Sequence, residues 1–241
     1  MSFRTTRWSL VLATRADDDE ARRAFDELCA LYWPPVFAFY RQLGSPPQEA
    51  EDLTQGLFLH LLSTDGVQHA DPERGRFRSF LRTCARNFAA GEARAAHAQK
   101  RGGDARKLSI DARTLEGLQS LELVDHETPE QAFERHFARA VVCQVLDRMA
   151  EEARGRDKAA QFAALRCYLE AEGGPAYADK AAVLGMGEGA VRVAVHRLRE
   201  RFRELLLVEV RHTLADPDEA IDEIDQLLSA LAGPEKPGAG A

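Results

Sequence analysis

Residues 175–203, PAYADKAAVLGMGEGAVRVAVHRLRERFR, hold two short apolar patterns of helical period on either side of a glycine-rich turn, Gly185-Met186-Gly187. In the second pattern Val191, Val195, Leu198 and Phe202 recur at spacings of four, three and four, so all four share one helix face. That face is expected to be core. The opposite side carries Arg192, Val193, His196, Arg197 and Glu200, with Arg199 and Arg203 at its margin. Such a cationic surface can reach phosphates or guanine edges, which makes the stretch a candidate helix-turn-helix with its second helix in the major groove. An ordinary amphipathic surface helix has the same period, so the rest of the chain has to decide.

Outward from this turn the helical period persists. Thr128 and Gln131 around Pro129 form a capping box, and Phe133, Phe137, Val141, Val145 and Met149 mark a buried stripe. Gly155 interrupts, and Phe162, Leu165 and Leu169 continue the pattern to Gly173-Gly174-Pro175. Nearer the start, Asp17 to Glu20 opens a helix carrying Phe25, Leu28, Cys29 and Tyr32, and Pro34-Pro35 is expected to kink or restart it. Val36, Phe37, Phe39 and Tyr40 form the expected hub of a first domain. The next helix opens with a second capping box, Ser45 to Gln48, and buries Ala50, Leu53, Leu57 and Leu61. Its far face shows Glu51, Asp52, Gln55, Leu59 and Leu62. Two leucines among those polar groups suggest a partner helix, or packing beneath another part of the domain. Nothing alternates as a strand does, so the expected fold is all-α: two helical domains joined by an acidic linker, the second containing the helix-turn-helix.

Between these regions lies a loop of turn-forming residues, Ser63 to Pro72, and then a strongly basic helix. Phe77, Leu81, Cys84 and Phe88 form its apolar face, with Arg78, Arg82 and Arg86 one turn apart on the opposite side. From Arg74 to Lys107 there are ten Lys or Arg residues against Glu92 and Asp104. An arginine on every turn at such an excess reads as a phosphate track. Phe80 is the one aromatic free enough for base stacking.

The whole chain nevertheless carries a net charge of −7, which argues against a free-standing nucleic-acid binder. The charge is uneven: Asp104 to Glu134 holds eight carboxylates against three basic residues, and Asp216 to the end holds seven against Lys236. Two acidic segments thus mask mildly basic domains. Cys29, Cys84, Cys143 and Cys167 are scattered, so they read as reduced small hydrophobes with no metal site. No leader and no span of about 20 apolar residues is visible, and the expected location is the cytoplasm. Gly185 to Ala190 fits a dinucleotide fingerprint, but the sequence after it stays helical instead of supplying a second strand. The seven histidines form no set with a nucleophile and an orienting acid. No enzyme, catalytic residue or cofactor is expected.

Taken in order, these blocks resemble an alternative sigma factor of bacterial RNA polymerase, of the extracytoplasmic-function type, over nearly all of residues 20–212. Ala50-Glu51-Asp52-Leu53-Thr54-Gln55 with Leu57-Phe58 looks like the family's polymerase-clamp motif. Phe77-Arg78-Ser79-Phe80-Leu81 with Ala85-Arg86-Asn87 looks like its promoter-melting helix, and Tyr177 to Ala182 followed by Leu184 to Met186 and Val191 to Arg199 looks like its upstream-box reader. The resemblance implies a promoter-specificity subunit. Glu51, Asp52, Gln55 and Leu59 would dock on the clamp coiled coil of core RNA polymerase. Arg78, Arg82, Arg86 and Asn87 would hold the minus-ten strand, and the 63–72 loop would accept an extruded base. Arg192, Val193, His196, Arg197 and Arg199 would face the minus-thirty-five box. An anti-sigma factor or other regulator is a further implied partner.

The resulting plan has a clamp and minus-ten domain at 1–103, an acidic linker at 104–127, a helix-turn-helix domain at 128–215 and an acidic extension at 216–241. Two departures stand out. Gly56 occupies a position where relatives usually have glutamate, and Val193-Ala194 replaces polar residues in the reading helix, so Val193 is expected to touch a thymine methyl. The 216–231 helix is expected to pack on the second domain or bind a regulator. The alternatives to a promoter subunit are a self-sufficient helix-turn-helix regulator and a sigma-like protein that binds polymerase without reading a promoter.

Overall fold

The computed structural model describes residues 19–63, 76–98, 124–170, 174–211, 213–214 and 216–232. Every regular element among them is helical, as expected: α1 Asp19–Gln42, α2 Pro47–Ser63, α3 Phe77–Ala98, α4 Pro129–Gly155, α5 Ala159–Leu165, α6 Cys167–Glu170, α7 Tyr177–Leu184, α8 Glu188–Arg211, a 3-10 turn Pro217–Glu219, and α9 Ala220–Ala232. The chain forms two units. One comprises Met1–Ala140 with Arg211–Ala241, the other Val141–Val210, so the boundary falls inside α4.

The core of the first unit is built around α1. The helix does not restart at Pro34-Pro35: α1 runs through both prolines without ending. A proline inside a helix removes a hydrogen bond and costs ~3 kcal/mol. Here the flanking side chains offset that loss, since Leu31, Tyr32, Trp33, Val36, Phe37, Phe39 and Tyr40 are all buried. Trp33 stacks on Phe58 of α2 at 5.6 Å between ring centroids, and Tyr32 meets Phe77 of α3 edge-on at 5.2 Å. The Tyr40 hydroxyl donates to the Ala85 carbonyl of α3 at 3.1 Å. Phe137 of α4 stacks on Tyr32 at 5.4 Å, which places the beginning of the Phe133–Met149 stripe against α1.

Caps fix where α4 starts. The Thr128 amide donates to Gln131 Oε1 at 2.8 Å, and the Gln131 amide donates to Thr128 Oγ1 at 3.2 Å, the reciprocal pair that the sequence suggests. Ser45 differs. Its hydroxyl lies 3.5 Å from Glu49 Oε1, and α2 begins at Pro47.

In the second unit Val191 and Val195 of α8 close on Leu165, Tyr168 and Ala181, with Leu184, Met186 and Leu198 packed around them. The turn after α7 is made by Gly185 in the left-handed region, φ 61°, where a side chain is strained and glycine is not. The Met186 amide returns to the Ala181 carbonyl at 3.1 Å, so α7 stops, and α8 starts after three intervening residues. The fingerprint glycines thus join two helices, not a strand and a helix.

Candidate nucleic-acid interface

The arginine track follows from the period of α3. Phe77 and Leu81 are buried on its inner face, and the arginines emerge around the opposite margin. The structure leaves none of the three bare. Arg78, only 6% exposed, donates through Nη2 to Glu223 of α9 at 3.1 Å and pairs through Nε with Glu134 of α4 at 2.9 Å. Its guanidinium also lies 5.4 Å from the centre of the Phe137 ring. Burial pushes the Arg78 pKa below the ordinary arginine value, with Glu134 opposing the shift. Arg82 donates to Glu134 at 2.7 Å, and Arg86, largely exposed, pairs with Glu130. Burial alone would raise the Glu130 pKa, but the hydrogen bond from Arg86 leaves it below the usual carboxylate range. Asn87 is exposed beside them, and Phe80 leans on Phe77 at 5.9 Å.

Glu130, Glu134 and Glu223 are the residues that sequence reasoning missed. Their signal was present as charge in two acidic segments, but pairing of a carboxylate near position 223 with an arginine near position 78 has no local signature. The C-terminal extension was expected on the second domain or on a regulator. The packing half of that expectation is corrected: the extension groups with the first unit, where the fully buried Glu223 carboxylate has both Arg76 and Arg78 as ion-pair partners.

The far face of α2 is different in character. Asp52 is exposed, Glu51, Gln55 and Leu59 are half-buried, and Leu62 is 41% exposed, while no ion pair among the described residues engages Glu51 or Asp52. A charged edge with accessible leucines therefore remains available. Gly56 acquires a packing reason here: a Cβ built on it would lie 3.0 and 3.2 Å from the Phe88 ring of α3. A glutamate at this place requires that ring to give way.

On α8 the expected outer residues separate into two groups. Val193, 51% exposed, His196 and Arg197 point to solvent. Arg192 is exposed too but pairs with Glu188 at 2.6 Å and lies 5.3 Å from the Tyr177 ring centre. Arg199 is turned inward, donating through Nε and Nη2 to the Tyr168 carbonyl at 3.3 and 3.2 Å, where it satisfies the end of a short helix. Beside this surface, an open groove of about 670 Å³ runs between α4, α5 and α8, with Met186, Val193 and Leu198 in its wall and Arg156, Lys158 and Arg197 among its charged residues. The Ser63–Pro72 loop beyond Ser63, and the acidic linker up to residue 123, lie outside the described residues. The cysteines are free, Cys29 buried and Cys143 exposed, so only some behave as the small core hydrophobes expected. No helix among the described residues is long and apolar enough to cross a membrane.

The segment that builds the arginine track and the α2 face can be compared with known families. Residues 28–98 match the model of sigma-70 region 2. The match covers 71 of the 241 residues and makes this segment, not the whole chain, similar to sigma-70 region 2. It spans α1 from Leu28, all of α2 and all of α3, which are the helices that carry both candidate faces of region 2. No curated protein and no solved structure matches the chain.

Proposed function

We propose that this protein is a promoter-specificity subunit of the extracytoplasmic-function type, which docks on core RNA polymerase and reads both promoter boxes. The observation that carries the reading is the region 2 match over the segment that presents a charged, leucine-bearing α2 face beside an arginine track. Glu51, Asp52, Gln55 and Leu59 meet the clamp coiled coil. Arg78, Arg82, Arg86 and Asn87 hold the unpaired minus-ten strand, whose unstacking costs a few kcal/mol and so needs favourable contacts. On α8, Val193, His196 and Arg197 face the upstream box, with Arg192 reaching phosphate and Arg199 setting the helix end. Promoter DNA and core polymerase are the partners, and a regulator that restrains the subunit is a third. The domain plan of clamp and minus-ten domain, acidic linker, upstream-box domain and acidic extension belongs to the same proposal.

The test is transcription in vitro. Purified core polymerase given a pool of genomic fragments gains initiation at discrete, mappable sites when this protein is added. Specific duplex binding by the protein alone would favour a self-sufficient regulator instead, and polymerase binding without initiation would favour an interaction protein.

A further inference from the structure

We propose that α9 is an intramolecular lock on the arginine track, holding the lone chain in a form that cannot grip a nucleic-acid strand; the inference rests on the promoter-subunit reading above. Its centre is Glu223, 0% exposed, whose carboxylate lies against the guanidinium groups of Arg76 and Arg78. Arg76 immediately precedes α3, with its carbonyl accepting the amides of Ser79 and Phe80, and Arg78 stands in the first turn. Both guanidinium groups thus belong to residues at the N-terminal end of a 22-residue helix. Neighbouring groups of the same segment reinforce the contact: Arg76 donates to Gln226 at 2.9 Å and lies 3.5 Å from Glu219. The apolar side of α9 is anchored too, with Ala220 and Leu227 only 1% and 5% exposed.

A strand phosphate and the Glu223 carboxylate ask for the same guanidinium donors, so occupancy by one excludes the other. The burial makes this a switch. An exposed pair would be weak and leaky, but Glu223, fully buried, would be an uncompensated buried charge if parted from its two arginines, so half-open forms are disfavoured. The lock opens only for something that binds the open form more strongly, such as a strand already held against polymerase.

The experiment measures binding of a fluorescent, mixed-sequence single-stranded DNA oligonucleotide to the full-length chain and to three variants, with hydrogen exchange of α9 followed in parallel. Glu223→Gln removes the charge at the centre, and Leu227→Ala loosens the apolar anchor without touching any arginine. Asp225→Asn makes the same charge change as the first on the exposed side of the helix. Glu223→Gln and Leu227→Ala should each bind at least about tenfold more tightly than Asp225→Asn. Their salt slopes should be steeper by roughly 1.4, from two further phosphates at ~0.7 each on a single strand. Exchange that shows α9 released in both variants, with no gain in strand affinity over Asp225→Asn, overturns the lock. Adding core polymerase separates the two ideas. Initiation by all four proteins with equal strand affinities removes the lock and keeps the promoter role. Tighter strand binding by the two variants, with polymerase bound by none of the four, keeps the lock and removes the promoter role.

Discussion

His136 is buried on α4 with its Nε2 lacking a hydrogen-bond partner, and burial, aided by Arg135 and Arg139, takes its pKa from 6.5 to about 4. The fold therefore holds it neutral while the unfolded chain protonates it near 6.5. Between those values the unfolded state binds the extra proton, so stability falls as pH drops through the window from about 6.5 to about 4 and does not fall further on this account below it. The full effect is at most ~3 kcal/mol. Glu130 and Glu152, held below the usual carboxylate range, lose their contribution at lower pH, which leaves the upper part of the window to His136. Urea unfolding at a series of pH values should show the decline, and His136→Phe should flatten it. Two arginines two residues apart, on opposite sides of α8, give a second residue-scale contrast. Arg199→Ala strips the donors from the Tyr168 carbonyl and should lower the melting temperature, by ~1–3 kcal/mol in stability, without changing base preference. Arg197→Ala should do the reverse, leaving melting unchanged while weakening the upstream box by ~1–3 kcal/mol in the assembled polymerase.

At the scale of elements, α2 and α3 divide the work between them. Both bury one face against α1, yet α3 turns its charge toward carboxylates of the same chain whereas α2 turns its charge to solvent. Replacing Glu51 and Asp52 together by arginine should abolish retention of the protein by immobilised core polymerase. Because Asp52 is exposed and Glu51 only half-buried, the thermal stability of the lone protein should change by no more than ~0.5 kcal/mol per site. Retained binding at unchanged stability would sink the assignment of α2 as the docking face. The α8 helix shows the same economy of one chain turn serving two ends: Val191 and Val195 fix it to α7, and the residues one step away around the helix are left for a groove.

For the whole molecule, the net charge of −7 and the closure of the track act in one direction. Both lower the affinity of the lone chain for a polyanion, the first through the long-range field and the second by occupying the donors. A gel shift with the protein alone on a promoter duplex should accordingly show no specific complex at moderate salt, and the same duplex with core polymerase added should show one. A specific complex without polymerase would count against the promoter-subunit reading at this scale.

The sequence by itself determined the elements. Helical period, the Thr128–Gln131 capping box and Gly185 act over a few residues, so the all-helical fold, the start of α4 and the turn before α8 were legible in order. The candidate α2 face was legible for the same reason, being the polar side of one amphipathic helix. Tertiary structure decided what local rules could not reach. It carried α1 through Pro34 and Pro35, because burial of the flanking aromatics outweighs a missing backbone bond. It drew Arg199 inward to a free carbonyl, and it set Glu223 against Arg76 and Arg78, far distant in the chain. Charge on a periodic face shows that an arginine can reach a phosphate; only the packing of distant segments decides whether it has already been given a carboxylate.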